Sequence, residues 1–166
     1  TLFSLQNKVA LVTGSSRGIG EATAKLLAEH GAHVIVSSRK QAGIDVVCSQ
    51  IQQAGGQATA IPCHAGDIEQ MTQLVAEIKE RFGRLDILVN NAATNPHYGN
   101  VLDTPLSAID KTIEVNFRGY MVMCQLAGDL MRQNGGGSIV NIASINGLNP
   151  GAGQGIYSMT KAAVIN

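Results

Sequence analysis

The feature that most constrains this chain is the turn Thr13-Gly14-Ser15-Ser16-Arg17-Gly18-Ile19-Gly20. It follows the apolar run Val9-Ala10-Leu11-Val12 and leads into Glu21-Ala22-Thr23-Ala24-Lys25-Leu26-Leu27, so it reads as strand, glycine-rich turn, helix. Three glycines let the backbone turn sharply, bring the helix against the strand and leave amide groups open to an approaching anion. The free N–H groups and dipole of the helix start suit a pyrophosphate without any charged side chain. A ligand-free strand-to-helix turn can carry the same pattern, so the turn alone leaves both readings open.

Strand-like runs recur at 9–13, 33–38, 58–62, 85–89 and 138–142, and helical spacing fills 19–30, 41–54, 69–82, 105–133 and the stretch from about 155 onward. This alternation predicts an α/β fold, a doubly wound parallel sheet with helices on both faces and right-handed crossovers. Runs such as Val34-Ile35-Val36 and Ile87-Leu88-Val89 are continuously apolar, as strands covered on both faces should be. Asp67 with Gln70 reads as a capping box for the third helix, and Gly31 and Gly83 stand where helices should stop. The 105–133 helix is apolar on more than one side, with Ile113, Phe117, Met121 and Cys124 among its residues. One stripe can cover the sheet, and the remainder points to a homo-oligomer, dimer or tetramer, or to cover from further chain.

With 166 residues, 45% of them hydrophobic, the chain suffices for one domain. Twelve basic and twelve acidic side chains cancel, which argues against nucleic acid or an anionic membrane surface as partner and leaves small molecules or other proteins. Cys48, Cys63 and Cys124 follow no metal or disulfide pattern, and His30, His33, His64 and His97 form no cluster, so no metal is expected. No run is long enough to span a membrane and no secretory layout is present, so a soluble cytoplasmic protein is expected. The chain starts at Thr1 rather than Met, so a peroxisomal or other organellar address stays open.

Four separated features in this order resemble the short-chain dehydrogenase/reductase family. They are Thr13-Gly14-x-x-x-Gly18-Ile19-Gly20, Asn90-Asn91-Ala92-Ala93, Asn116 in the long helix, and Ser144 followed by Tyr157-x-x-x-Lys161. Ala93 departs mildly from the glycine that many members carry. The stretch from Asn90 to Pro96 looks like the branch of peroxisomal carbonyl reductases called dehydrogenase/reductase member 4. The resemblance implies a Rossmann-like sheet, here truncated after the fifth strand and the start of the following helix. Residues 1–166 would then be a single dinucleotide-binding domain, incomplete at its C-terminal end and weak or inactive alone.

The implied activity is hydride transfer between a nicotinamide and a carbonyl or alcohol substrate. Tyr157 and Lys161 are four apart, so in a helix they share a face and the cation favours the phenolate. Tyr157 would be the general acid in reduction and the base in oxidation, with Ser144 bonding the substrate oxygen. By the family's pattern Asn116 would hold a relay water leading from Lys161, and Lys161 would also bond the nicotinamide ribose. Each residue alone has an ordinary structural explanation, and the order in which they occur favours the catalytic one.

For the cofactor, the resemblance assigns Gly14, Ser16, Arg17, Gly18, Ile19 and Gly20 to the phosphates, Asn90 and Ala92 to the edge of the fourth strand, and Asp67 with Ile68 to adenine. At the end of the second strand, Ser37-Ser38-Arg39-Lys40 offers no carboxylate for a ribose 2′-hydroxyl. Arg39 and Arg17 could pair with a 2′-phosphate, so NADP(H) is expected over NAD(H). The loops at 94–103, including His97, and at 145–155 would line the substrate entrance without identifying the substrate. The alternative is a non-catalytic dinucleotide-binding fragment or scaffold, whose mark would be loss of Tyr157, Lys161 or Ser144; all three are present.

Overall fold

The computed structural model describes residues 2–166. Strands β1 (Val9–Thr13), β2 (His33–Ser37), β3 (Gln57–Ala60), β4 (Ile87–Asn90) and β5 (Ser138–Asn141) form one parallel sheet in the order β3-β2-β1-β4-β5. The expected doubly wound α/β fold is what forms. The chain leaves β1 toward β2 on one side and returns to β4 on the other, so the carboxyl end of β1 is the switch point where such sheets bind ligands.

Strand periodicity sorts the core onto two faces. Val9, Leu11, Ile35 and Leu88 pack with Met71, Leu74 and Ile78 of α3 (Ile68–Phe82) and with Met123 and Leu130 of α5 (Gly119–Gln133). Ala10, Val12, Val34 and Val36 pack with Ala24 and Ala28 of α1 (Gly18–Glu29) and Ile44, Val47 and Ile51 of α2 (Gln41–Gln53). Every residue of β1 is buried, whereas every residue of β5 is exposed. Gly83 ends α3 in the left-handed region at φ 70°, as its position promised.

Most boundaries fall within a residue or two of the expected ones, and three differences have local reasons. Strand β3 ends at Ala60 rather than Pro62, since Pro62 has no N–H to continue a ladder. The fourth strand starts at Ile87, because Asp86 turns its carboxylate to the Val9 N–H (2.9 Å) and to Arg84 (2.5 and 2.9 Å). The long helix is α4 (Leu106–Ile113), a π turn over Glu114–Arg118, then α5. A π turn inserts one residue into the helical repeat and rotates the residues beyond it. Val115 and Asn116 therefore both face inward, while Ile113, Phe117 and Met121 form an exposed apolar stripe. No helix among the described residues is long and apolar enough to cross a membrane.

Asp86 is 7% exposed and joins the base of β1 to that of β4. Burial pushes its carboxyl up, but hydrogen bonds from Arg84 and the Val9 N–H and the nearby Lys8 outweigh it and hold the group below the usual carboxylate value. A depressed carboxylate stabilises the fold above its unfolded value of about 3.9, and the contribution disappears as pH falls through the folded value. Asp86→Ala is expected to cost roughly 1–3 kcal/mol at pH 7. In urea denaturation the gap from the native chain should close below about pH 4; a gap that stays constant with pH would contradict this.

Candidate active site

The glycine turn is fixed from both neighbouring strands. Ser15 is fully buried, its Oγ donating to the Val12 carbonyl (2.7 Å) and accepting from the Ser37 N–H (2.9 Å). On the other side the Thr13 hydroxyl accepts the N–H groups of Asn91 (3.0 Å) and Ala92 (3.1 Å), and the Asn91 amide donates to the carbonyls of Thr13 (2.9 Å) and Gly14 (3.0 Å). A Cβ on Gly20 would come within 2.5 Å of that Asn91 amide nitrogen, so the helix start tolerates no side chain there. Gly18 sits at φ +59° with open space where a Cβ would project, and Arg17, at the N-cap of α1, supplies no side-chain cap. The first turn of α1 thus keeps its N–H groups for a ligand.

This turn opens into a cavity of about 670 Å³ along the carboxyl edge of the sheet. Its lining includes Gly14, Ser16, Arg17, Gly18, Ile19, Ser38, Arg39 and Ala92, together with Lys40, His64 and Lys111, and among the described residues no aspartate or glutamate. A glycine cradle, uncapped helix amides and converging cations fit the phosphates of a dinucleotide.

A second cavity of about 350 Å³ is lined by Ser144, Tyr157, Asn95, Asn146 and Gln154, and shares Ala93 and Thr94 with the first. Tyr157 and Lys161 lie on α6 (Gly155–Ile165). Ser144 precedes a single 3-10 turn, its Oγ accepting from the Asn146 N–H at 3.2 Å. Lys161 is 1% exposed; its ammonium donates to the Ile142 carbonyl (2.7 Å) and the Tyr120 hydroxyl (3.4 Å) and lies 5.8 Å from the centre of the Tyr157 ring. Burial pushes this ammonium down to about 8. Asn116, fully buried in the π turn, bonds the backbone of Thr94 twice at 2.8 Å and donates to Thr160 at 3.3 Å. It therefore clamps the loop after β4 to the helix carrying Tyr157, and its side chain makes no bond to Lys161.

Several expected site residues stand apart from these cavities. Asn90 is buried, its amide donating to Asn141 (2.9 Å) and Cys124 (3.3 Å), while its neighbour Asn91 lines the cavity. Successive residues leaving a strand alternate sides, which the Asn-Asn pair conceals. Asp67 and Ile68 are also outside the lining, and His64 and Ala65 stand there instead. Asp67 caps α3, accepting the Gln70 N–H at 3.1 Å, although the return half of the box is altered: Gln70 donates to the Asp67 carboxylate and accepts the His64 N–H. The available signal was proximity, since His64 is closer to the end of β3. Tyr120 and Lys111 carried no signal of their own, because both look like ordinary helix residues until the turns around them are placed.

The family model for short chain dehydrogenase matches residues 8–166. Rabbit (Oryctolagus cuniculus) and human dehydrogenase/reductase SDR family member 4 are each 42% identical over 161 residues, 97% of this chain and 62% and 58% of those proteins. The chain thus spans about three fifths of the length of these curated relatives. A putative short-chain alcohol dehydrogenase of Sinorhizobium meliloti 1021 superposes with a TM-score of 0.94 at 33% identity, covering 99% of this chain and 65% of that one. A 7α-hydroxysteroid dehydrogenase complexed with NADH and 7-oxo glycochenodeoxycholic acid gives 0.92 at 33% identity, covering 98% and 63%.

The buried Lys161 has a consequence for stability. A lysine depressed from 10.5 to about 8 penalises the folded state in full below pH 8. Between those values the unfolded chain holds more protons, so stability should rise with pH. Lys161→Met is expected to stabilise the chain by roughly 1–3 kcal/mol at pH 7 and to abolish the rise. Urea denaturation at pH 7 and pH 9.5 measures both, and a destabilised variant at pH 7 would refute the assignment.

Proposed function

The chain belongs to the short-chain dehydrogenase/reductase family, and on that premise we propose that it is the dinucleotide-binding part of an NADP(H)-dependent oxidoreductase interconverting a carbonyl compound and an alcohol. This reading is supported by the two cavities sharing Ala93 and Thr94 in their walls, so that the cavity lined by Tyr157 and Ser144 adjoins the one lined by the glycine turn. A bound nicotinamide supplies the hydride, and the chain has to orient the carbonyl and manage one proton.

In this reading the Tyr157 hydroxyl gives its proton to the substrate oxygen in reduction and takes it back in oxidation. Ser144 donates to the same oxygen, and its backbone is held by the strand end and the 3-10 turn. Lys161 holds a buried positive charge 5.8 Å from the centre of the Tyr157 ring, close enough to attract charge that develops on the reacting oxygen. Asn116 keeps the loop that walls the cleft at a fixed distance from α6. The protein's share of the chemistry is thus positioning and proton control.

Support for NADP(H) comes from the lining. Arg17 and Arg39 border the cavity with no carboxylate to repel a 2′-phosphate, and Ser38 leaves room beside them. A structural relative was solved with NADH, so the preference is argued from this chain's own side chains. The exposed stripe of Ile113, Phe117 and Met121 supports association with a second copy of the chain.

Tyr157→Phe tests the chemistry. Turnover of a ketone or aldehyde by the protein should fall by roughly a hundred-fold or more, with NADPH affinity changed less than about two-fold, since the phenol hydroxyl adds at most a modest hydrogen bond to binding. A variant retaining the native rate would remove Tyr157 from the proton transfer.

A further inference from the structure

We infer that Lys111 is a recognition residue for the adenosine end of the ligand, its ammonium leaving His64 for a hydrogen-bond acceptor that the bound nucleotide supplies; the inference rests on the dinucleotide reading above. The protons of His64 and Lys111 are in conflict. The His64 Nδ1 accepts the Gly66 N–H at 2.9 Å, so that nitrogen carries no hydrogen. In a neutral imidazole the one proton is then on Nε2, which points at the Lys111 ammonium 3.0 Å away. An ammonium has only donors, so two donors face each other at hydrogen-bonding distance.

Protonating His64 makes the conflict worse, because both nitrogens would then donate, and burial followed by the Lys111 charge already holds the imidazole below its usual range. Reversing the tautomer satisfies Lys111 but strands the Gly66 N–H. The remaining partner of Lys111 is Glu114, three residues on at 3.3 Å, and both side chains are about one-third exposed, which makes it a weak surface pair. The resting contacts therefore leave Lys111 free to move.

Its location says what it would meet. His64 follows β3, Arg39 follows β2, and Lys111 reaches in from α4; all three line the same cavity. The Cys63 N–H donates to the Ser38 carbonyl at 3.1 Å and locks the two strand ends together. This corner lies beside the strand end that faces the adenine ribose in such folds, away from Tyr157 at the other end of the cleft. The acceptors available there are an adenine ring nitrogen or a ribose 2′-phosphate oxygen. Either accepts from the ammonium and ends the donor–donor contact.

Calorimetric titration of the protein with ADP and with adenosine 2′,5′-bisphosphate, in native form and as Lys111→Met, tests this. Roughly a ten-fold or greater loss of affinity is expected, the size of one charge-assisted hydrogen bond, with an unchanged urea midpoint. Loss for both ligands assigns the ring nitrogen, and loss for the bisphosphate alone assigns the 2′-phosphate; each supports the inference. Native affinity for both ligands in a folded Lys111→Met chain overturns it. Failure of the native protein to bind either ligand overturns the dinucleotide reading and this inference with it. Nitrogen-15 imidazole spectra give an independent check. The Nε2–H tautomer of His64 is expected in the ligand-free protein, and the Nδ1–H tautomer would overturn the inference.

Discussion

The ligand edge of this molecule depends on how the end of β1 is satisfied. A central parallel strand presents backbone groups at its carboxyl end just where the chain must turn away, and unpaired groups there would each cost about 1–3 kcal/mol. The Thr13 hydroxyl and the Asn91 amide take them up, joining the glycine turn to the loop after β4, while Ser15 joins the same turn to β2. With those loops fixed by side chains, the start of α1 is left without a side-chain cap among the described residues. The same hydrogen bonds that complete the fold thus leave an opening shaped for an anion.

The other end of the cleft is built on a cost. Lys161 is an almost completely buried ammonium, held by one carbonyl and one phenol and close to two aromatic rings. A packed core would not choose this group for stability. The proposed proton transfer at Tyr157 would account for that cost, because a charge acts most strongly out of water. Asn116 shows the same economy of structure: the π turn that brings it inward disturbs a regular helix, and what it achieves is a rigid link between the wall of the cleft and the helix of Tyr157 and Lys161.

Much of this was legible in the sequence, for identifiable reasons. Apolar continuity and alternation gave the parallel sheet, and the glycine spacing gave the turn, because both are governed by local geometry. That Tyr157 and Lys161 share a helix was readable, since residues four apart are neighbours on a helix face. The residues that stand apart from the cavity linings are those whose direction is set by packing. Asn90 and Asn91 differ by one position at the end of a strand, and only register tells which faces the cleft. Asp67 caps α3, and a helix cap and an adenine contact call for the same kind of side chain, so the residue type alone does not separate the two roles. Lys111, His64 and Tyr120 acquire meaning from neighbours far away in the chain, which no local pattern encodes.

The proposed function makes this cleft a dinucleotide site selective for a phosphorylated adenine ribose. It is tested most directly by fluorescence titration of the protein with NADPH and with NADH under identical salt. A complex at least roughly ten-fold tighter with NADPH is expected, the contribution of a 2′-phosphate paired with Arg17 and Arg39 in a cavity whose described lining holds no carboxylate. Equal affinities, a preference for NADH, or no binding of either would contradict it.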